Sequence, residues 1–269
     1  MNALQALHVV KMHGAENTFV VLDERPPRFE RYDDLARTLC DPGGVLEGAD
    51  GVLVVRNADG FAAEMQIYNA DGSRAEMCGN GIRCVARYLV ERGAPEKMTI
   101  ATLAGPIVAT VVGREPYEVR VDMGPVTFAN HGRPESLELE NGTWTFYDVS
   151  VGNPHAVIFV DDVAAIDLVR LGAAFNRHAR FESGTNVHVV QCLDATSLRV
   201  RHYERGAGLT QACGTGAVAC VATAIAVRNA HAPVAVHVPG GVLSVAWAAS
   251  ERAFLTGPAE TMFERTISL

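Results

Sequence analysis

Two cysteines stand apart by their settings. Cys78 lies in Met77-Cys78-Gly79-Asn80-Gly81 and Cys213 in Ala212-Cys213-Gly214-Thr215-Gly216, so each opens a Cys-Gly-x-Gly turn. Glycine lets a backbone bend sharply and leaves its N–H groups open to a ligand. The residues after each turn have helical composition, and a helix start adds N–H donors and partial positive charge. Such a place suits a carboxylate. It also lowers the pKa of a cysteine, so a fraction is expected as thiolate near neutral pH. A thiolate beside an anion site can take a proton from the carbon next to a carboxylate.

The surroundings of the two cysteines repeat. Tyr68 precedes Cys78 by ten residues, as Tyr203 precedes Cys213, and 135 residues separate the copies. Val52, Val54 and Val55 match Val187, Val189 and Val190 at that offset, and Asn17 matches Asn153 with one residue more. A period of about half the chain implies two homologous halves. Strands are predicted over Val52–Arg56, Ala63–Asn69, Val187–Cys192 and Ser197–Tyr203. Helices are predicted over Gly79–Glu91 and Gly214–Arg228, with shorter ones at Asp33–Leu39 and around Asp167–Asn176.

The expected fold class is α+β (mixed α/β). Two homologous domains would be related by a pseudo-twofold, each a curved β-sheet or barrel around a central helix, with the active site in the cleft between them. The expected bounds are 1–122 and 123–261, with a C-terminal tail of about 262–269 packing on the first domain. One mixed α/β domain is the alternative. In the two-domain arrangement, Cys78 and Cys213 face each other across the cleft. One removes an α-proton, the other supplies a proton to the opposite face, and a stereocentre inverts.

Composition bounds the partners. The chain has 269 residues, 48% hydrophobic and 20% charged, with net charge −8. It is long enough for a core without disulfides or metals, and no basic run suggests nucleic acid. No stretch reaches the length of a membrane span, and no secretory signal is read at the start. A cytoplasmic protein with six reduced cysteines is expected. Cys40, Cys84, Cys192 and Cys220 read as buried structural residues. No CxxC pair or histidine pair at metal spacing supports a zinc site, so no metal is expected.

Several segments together resemble the diaminopimelate epimerase family: MCGNGIRC (Met77–Cys84), ACGTGA (Ala212–Ala217), YNADGSRAEMCGNG (Tyr68–Gly81), VGNPHAV (Val151–Val157), GTNV (Gly184–Val187) and YERG (Tyr203–Gly206). The resemblance implies a cofactor-free homodimer that interconverts LL- and meso-diaminopimelate in lysine biosynthesis. Cys78 and Cys213 would then be base and acid, with His155 and Glu204 beside the reacting centre. The backbone at Gly79, Asn80, Gly214 and Thr215 would hold the reacting carboxylate. Asn69, Asn153, Asn186 and Arg205 would hold the distal amino-acid end, and Asn17 would be a further substrate contact. Arginine suits a carboxylate and amide oxygens suit an ammonium.

From spacing alone, the asparagines are equally turn residues. His155 is equally a core histidine, and Glu204 with Arg205 a surface pair. The family's usual G-x-G-N-D-F is replaced by Gly14-Ala15-Glu16-Asn17-Thr18-Phe19, Leu209 stands where a glutamate is usual, and Asp41–Glu47 is altered. Both Cys-Gly-x-Gly turns match. A racemase of this fold acting on another amino acid is the second reading. A non-catalytic redox protein using Cys78 and Cys213 as a switch is the third.

Overall fold

A computed structural model describes residues 6–140, 142–249 and 251–268. The chain divides into two compact units, one of residues up to Val121 together with those from Gly257 on, the other Asp122–Thr256. Positions 1–5 of the expected first domain and 269 of the expected tail lie outside the described residues.

The first unit opens with β1 (Ala6–Gly14) and β2 (Asn17–Asp23), paired antiparallel. Helix α1 (Asp33–Leu39) crosses to β3 (Gly51–Arg56), which runs parallel to β2. Then come β4 (Ala63–Asn69), the short β5 (Arg74–Ala75) and helix α2 (Gly79–Val90). Strands β6 (Lys97–Thr102), β7 (Gly105–Arg114) and β8 (Tyr117–Pro125) follow, β6 lying parallel to β4. The C-terminal strand Glu260–Ser268 pairs antiparallel with β1.

The second unit repeats this topology. After β9 (Thr127–Phe128), strands β10 (Glu135–Leu139), β11 (Gly142–Ser150) and β12 (Pro154–Phe159) form an antiparallel run. Helix α3 (Leu168–Arg177) crosses to β13 (Asn186–Asp194), parallel to β12. Strands β14 (Ser197–Glu204) and β15 (Gly208–Thr210) lead into α4 (Gly214–Arg228). Strands β16 (Val234–Val238), β17 (Gly241–Ala246) and β18 (Arg252–Pro258) come last, β16 lying parallel to β14. The register repeats as well: Val52 pairs with Tyr68 as Val187 pairs with Tyr203.

Alternation along the strands separates two apolar layers in each unit. Val52 and Val54 pack with Leu39, Ala36 and Tyr32 on the α1 side, and Val187 and Val189 pack with Leu171 and Phe175 on the α3 side. The residues between them in sequence turn to the other helix. Leu53 lies against Gly81 of α2, and His188 lies against Gly216 of α4. A Cβ at these glycines would stand 2.9 Å from Leu53 and 2.5 Å from His188, so the second glycine of each Cys-Gly-x-Gly admits a neighbour from the sheet. Helix α4 is buried all round through most of its length, with mostly small residues on every face, and stops at the left-handed Asn229. Among the described residues, no helix is long and apolar enough to cross a membrane.

Most predicted elements agree with the structure, with ends shifted by a residue or two. One cysteine differs. Cys40, Cys84, Cys213 and Cys220 are buried, but Cys192, expected in the core, is exposed. Strand β13 is buried only as far as Val190, and its last residues outrun the apolar layer.

The loop joining β1 to β2 has only two residues, Ala15 and Glu16, both at positive φ (54° and 60°). Such a turn favours Asn-Gly, since left-handed backbone costs an ordinary L-residue about 1–2 kcal/mol. Ala15 is buried, so the change is confined to the exposed Glu16, and Glu16→Gly is expected to raise stability by about 0.5–1 kcal/mol after glycine's entropy cost. Denaturant unfolding with an unchanged m-value measures this, and a lower midpoint would contradict the turn assignment.

Candidate active site

Each cysteine is the N-cap of a central helix. Cys78 has extended backbone (φ −141°, ψ 117°), as does Cys213 (φ −122°, ψ 112°). The first intrahelical bonds run from Ile82 N–H to the Cys78 carbonyl (2.9 Å) and from Ala217 N–H to the Cys213 carbonyl (2.8 Å). The N–H groups at Gly79, Asn80, Gly214 and Thr215 precede those bonds, so no carbonyl of the helix claims them.

In the first unit, Cys78 is half-buried and its Sγ accepts the Gly81 N–H at 3.5 Å. Asn17 Oδ1 accepts from the Cys78 thiol at 3.8 Å and from Asn80 Nδ2 at 3.3 Å. Asp50 fixes this orientation, its Oδ2 taking Asn17 Nδ2 and the Thr18 N–H, each at 2.7 Å. Arg83, one helical turn beyond Cys78, is fully buried, and its Nε donates to the Pro258 carbonyl at 2.9 Å. Burial pushes its pKa down, while a thiolate at Cys78 would support its charge. Asn69 is exposed at the end of β4, where its Nδ2 donates to Ser73 Oγ at 2.9 Å; it belongs to the β4–β5 turn.

In the second unit, Cys213 is buried, with Thr215 Oγ1 3.6 Å from its sulfur. Glu204 also lies against it. Burial pushes the Cys213 thiol well up, and the nearby carboxylate adds to that. This differs from the expectation for Cys213, because desolvation outweighs the helix start. Burial likewise raises Glu204, which is therefore no plain surface partner of Arg205.

Asn153 donates from Nδ2 to Thr215 Oγ1 at 3.4 Å, and its Oδ1 is 2.8 Å from His155 Nε2. Asn186 is buried and doubly engaged: Nδ2 donates to the Pro154 carbonyl and Oδ1 accepts the Arg205 N–H, each at 2.9 Å. The exposed Arg205 donates from Nη1 to the Ser183 carbonyl at 3.1 Å and lies over Gly184, where a Cβ would meet its chain at 2.9 Å. The Tyr203 ring, just before Glu204, rests on Gly172 of α3, where a Cβ would stand 2.2 Å away.

The structure thus gathers Asn17, Cys78, Gly79 and Asn80 in one unit. In the other it gathers Asn153, His155, Glu204, Cys213, Gly214 and Thr215, with Asn186 and Arg205 joined to each other. Sequence reasoning missed Asp50, Arg83, His188 and His202. Asp50 carried a visible signal, as the acidic residue of an Ala-Asp-Gly directly before a strand.

His155, His188 and His202 are all buried, and His155 and His202 are pushed down to about 3, with His188 also well down. Burial is the main cause. Each folded pKa lies below its unfolded value near 6.5, so the stability each contributes is complete above pH 6.5 and is lost as pH falls towards 3. Unfolding free energy should drop by about 1.4 kcal/mol per pH unit for each histidine in that window. His202→Ile should remove one such increment from the slope. An unchanged slope in denaturant unfolding at pH 7, 6 and 5 would contradict neutral buried imidazoles.

Known proteins extend these observations. A profile of the family described as diaminopimelate epimerase matches residues 9–129 and 147–262. The chain is similar to a diaminopimelate epimerase of Carboxydothermus hydrogenoformans, at 42% identity over 96% of this chain and 98% of the relative. It is similar to that of Desulfitobacterium hafniense at 38% identity, over 96% and 97%. Among solved structures, it shares its fold with a phenazine biosynthesis protein of the PhzF family from Bacillus anthracis (TM-score 0.76, 15% identity, 99% of this chain and 100% of that one). It shares it also with a probable proline racemase from Agrobacterium radiobacter (TM-score 0.70, 20% identity, 98% and 93%). With near full-length relatives well above 30% identity and the profile spanning both units, the chain belongs to the diaminopimelate epimerase family.

Proposed function

We propose that the protein epimerises LL-diaminopimelate to meso-diaminopimelate, as an isomerase of lysine and peptidoglycan-precursor biosynthesis. The observation that carries this is the near full-length similarity to diaminopimelate epimerases. The residues supply a chemistry to match. Inversion requires two groups that reach one α-carbon from opposite faces, and Cys78 and Cys213 are proposed as that pair. Cys213, buried beside Glu204, enters as the thiol and proton donor. Cys78, served by the Gly81 N–H, takes the α-proton as thiolate. One C–H bond breaks and one forms, the two sulfurs exchange protonation states, and the reverse direction exchanges their roles.

The helix starts at Gly79–Asn80 and Gly214–Thr215 favour the substrate carboxylate as charge develops next to it. His155 and Glu204 are placed beside the reacting centre, Asn17 is a further substrate contact, and Asn69, Asn153, Asn186 and Arg205 serve the distal amino-acid end. The residues named need neither metal nor organic cofactor. The reading extends to a cytoplasmic homodimer, supported by the family resemblance; light scattering on the purified protein tests the dimer.

Incubation in deuterated water with LL- or meso-diaminopimelate, a chelator and no cofactor should place deuterium at the α-carbon. Cys78→Ala and Cys213→Ala should each lower racemisation by about a thousandfold or more. No exchange with any amino acid would sink the two-base reading. Exchange confined to monoamino acids would sink the substrate assignment.

A further inference from the structure

Three buried histidines stand on neighbouring strands of the second unit: His155 on β12, His188 on β13 and His202 on β14. His155 Nδ1 lies 2.8 Å from His188 Nε2, and His188 Nδ1 lies 2.8 Å from His202 Nδ1. With the contact from His155 Nε2 to Asn153 Oδ1, they form one continuous chain. Through Thr215 Oγ1 the chain reaches Cys213.

The fold does not need imidazoles there. The matching positions of the first unit are Phe19, Leu53 and Ile67, all buried and apolar. The register makes the correspondence plain, since Leu53 pairs with Ile67 as His188 pairs with His202. Phe19 follows Asn17 as His155 follows Asn153. One half of the chain fills this layer with hydrocarbon, whereas the other bears the cost of burying three polar rings.

Proton accounting shows what the rings accomplish. A neutral imidazole has one N–H and one acceptor nitrogen. With the Asn153 amide placed so that Nδ2 meets Thr215 and Oδ1 meets His155, His155 carries its proton at Nε2. Its Nδ1 is then an acceptor, and His188 must donate from Nε2–H. His188 Nδ1 must accept in turn, so His202 donates from Nδ1–H. The chain ends at His202 Nε2, which has no hydrogen-bond partner among the described residues. Reversing any link would reverse all three and turn the Asn153 amide over.

The first unit presents the opposite polarity. Asp50 holds Asn17 by its Nδ2, so Asn17 shows an amide oxygen to Asn80 and Cys78. His155 holds Asn153 by its Oδ1, so Asn153 shows an amide N–H to the Cys213 turn.

We propose that His188 and His202 are positioning residues that fix the tautomer of His155, and through it the amide polarity of Asn153. Asn153 is thereby held with its amide oxygen spent on His155 and its N–H on the open side, a donor suited to a carboxylate at the substrate end it is proposed to serve. This consequence for substrate rests on the reading of Asn153 as a substrate contact. The tautomer assignment stands without it.

The test is nitrogen-15 NMR of the full-length protein, labelled at histidine, at neutral pH. His155 and His188 are expected as the Nε2–H tautomer and His202 as Nδ1–H; an Nδ1–H signal for His155 overturns the proposal. His188→Leu copies the packing used at Leu53, and should leave His155 in mixed tautomers and raise the KM for diaminopimelate ~10-fold with a smaller change in kcat. His188→Gln, whose amide N–H can replace Nε2–H, should restore the single tautomer and bring KM back to within about twofold of the parent. An unchanged His155 tautomer in His188→Leu contradicts the proposal. So does a failure of Gln to do better than Leu. If the wild-type protein does not turn over diaminopimelate, the reading of function fails, and the NMR signals still decide the tautomers.

Discussion

A helix that begins on cysteine lacks the strong oxygen cap that serine, threonine or aspartate would give its first N–H groups. The first turn of such a helix points its N–H groups where an anion can meet them, and the cap itself is a titratable sulfur, which at Cys78 accepts the Gly81 N–H. That constraint organises both units. To place the cysteine in extended backbone and start the helix at once, the chain uses Cys-Gly-x-Gly. To hold the helix in the middle of a unit, its second glycine must accept a side chain from the sheet, Leu53 in one unit and His188 in the other. The small residues of α4 follow from the same demand, since strands pack around it on every side.

The two units share strand order and register, yet the surroundings of their cysteines have diverged. Cys78 is half-buried, near an amide oxygen and one turn from the buried Arg83. Cys213 is buried, against Glu204 and beside a hydroxyl. The proposed reaction, in which one sulfur takes a proton and the other gives a different one, benefits from this asymmetry. In the proposed mechanism, burial and the neighbouring carboxylate favour the proton on Cys213. The duplication supplies matching scaffolds, and substitutions at equivalent positions give the two cysteines different surroundings.

Much of this was legible in the sequence because it is local. Period-two alternation marks β4 and β14, and glycine turns mark the starts of α2 and α4. The 135-residue repeat of Tyr, Cys and Gly reveals the duplication. What was not legible depends on register. His188 and His202 drew no reading from the sequence, and only strand pairing shows that they are buried and meet. The helix start at Cys213 was visible, but the burial and the carboxylate that oppose it come from elsewhere in the fold. Asn186 carried the signature of a ligand contact, and the structure shows that it also ties the Arg205 backbone to Pro154.

The central claim is that two single-proton sulfurs act in turn, one removing and the other delivering. A thiol carries only one exchangeable proton, so the proton taken by Cys78 is not the one Cys213 gives. The direct measurement is the isotope content of both substrate and product at the start of conversion of LL-diaminopimelate in deuterated water. The account predicts meso product with one deuterium at the inverted carbon while unreacted LL-diaminopimelate still holds hydrogen there. Product that retains the substrate's own hydrogen, or recovered substrate that gains deuterium as fast as product forms, would contradict it.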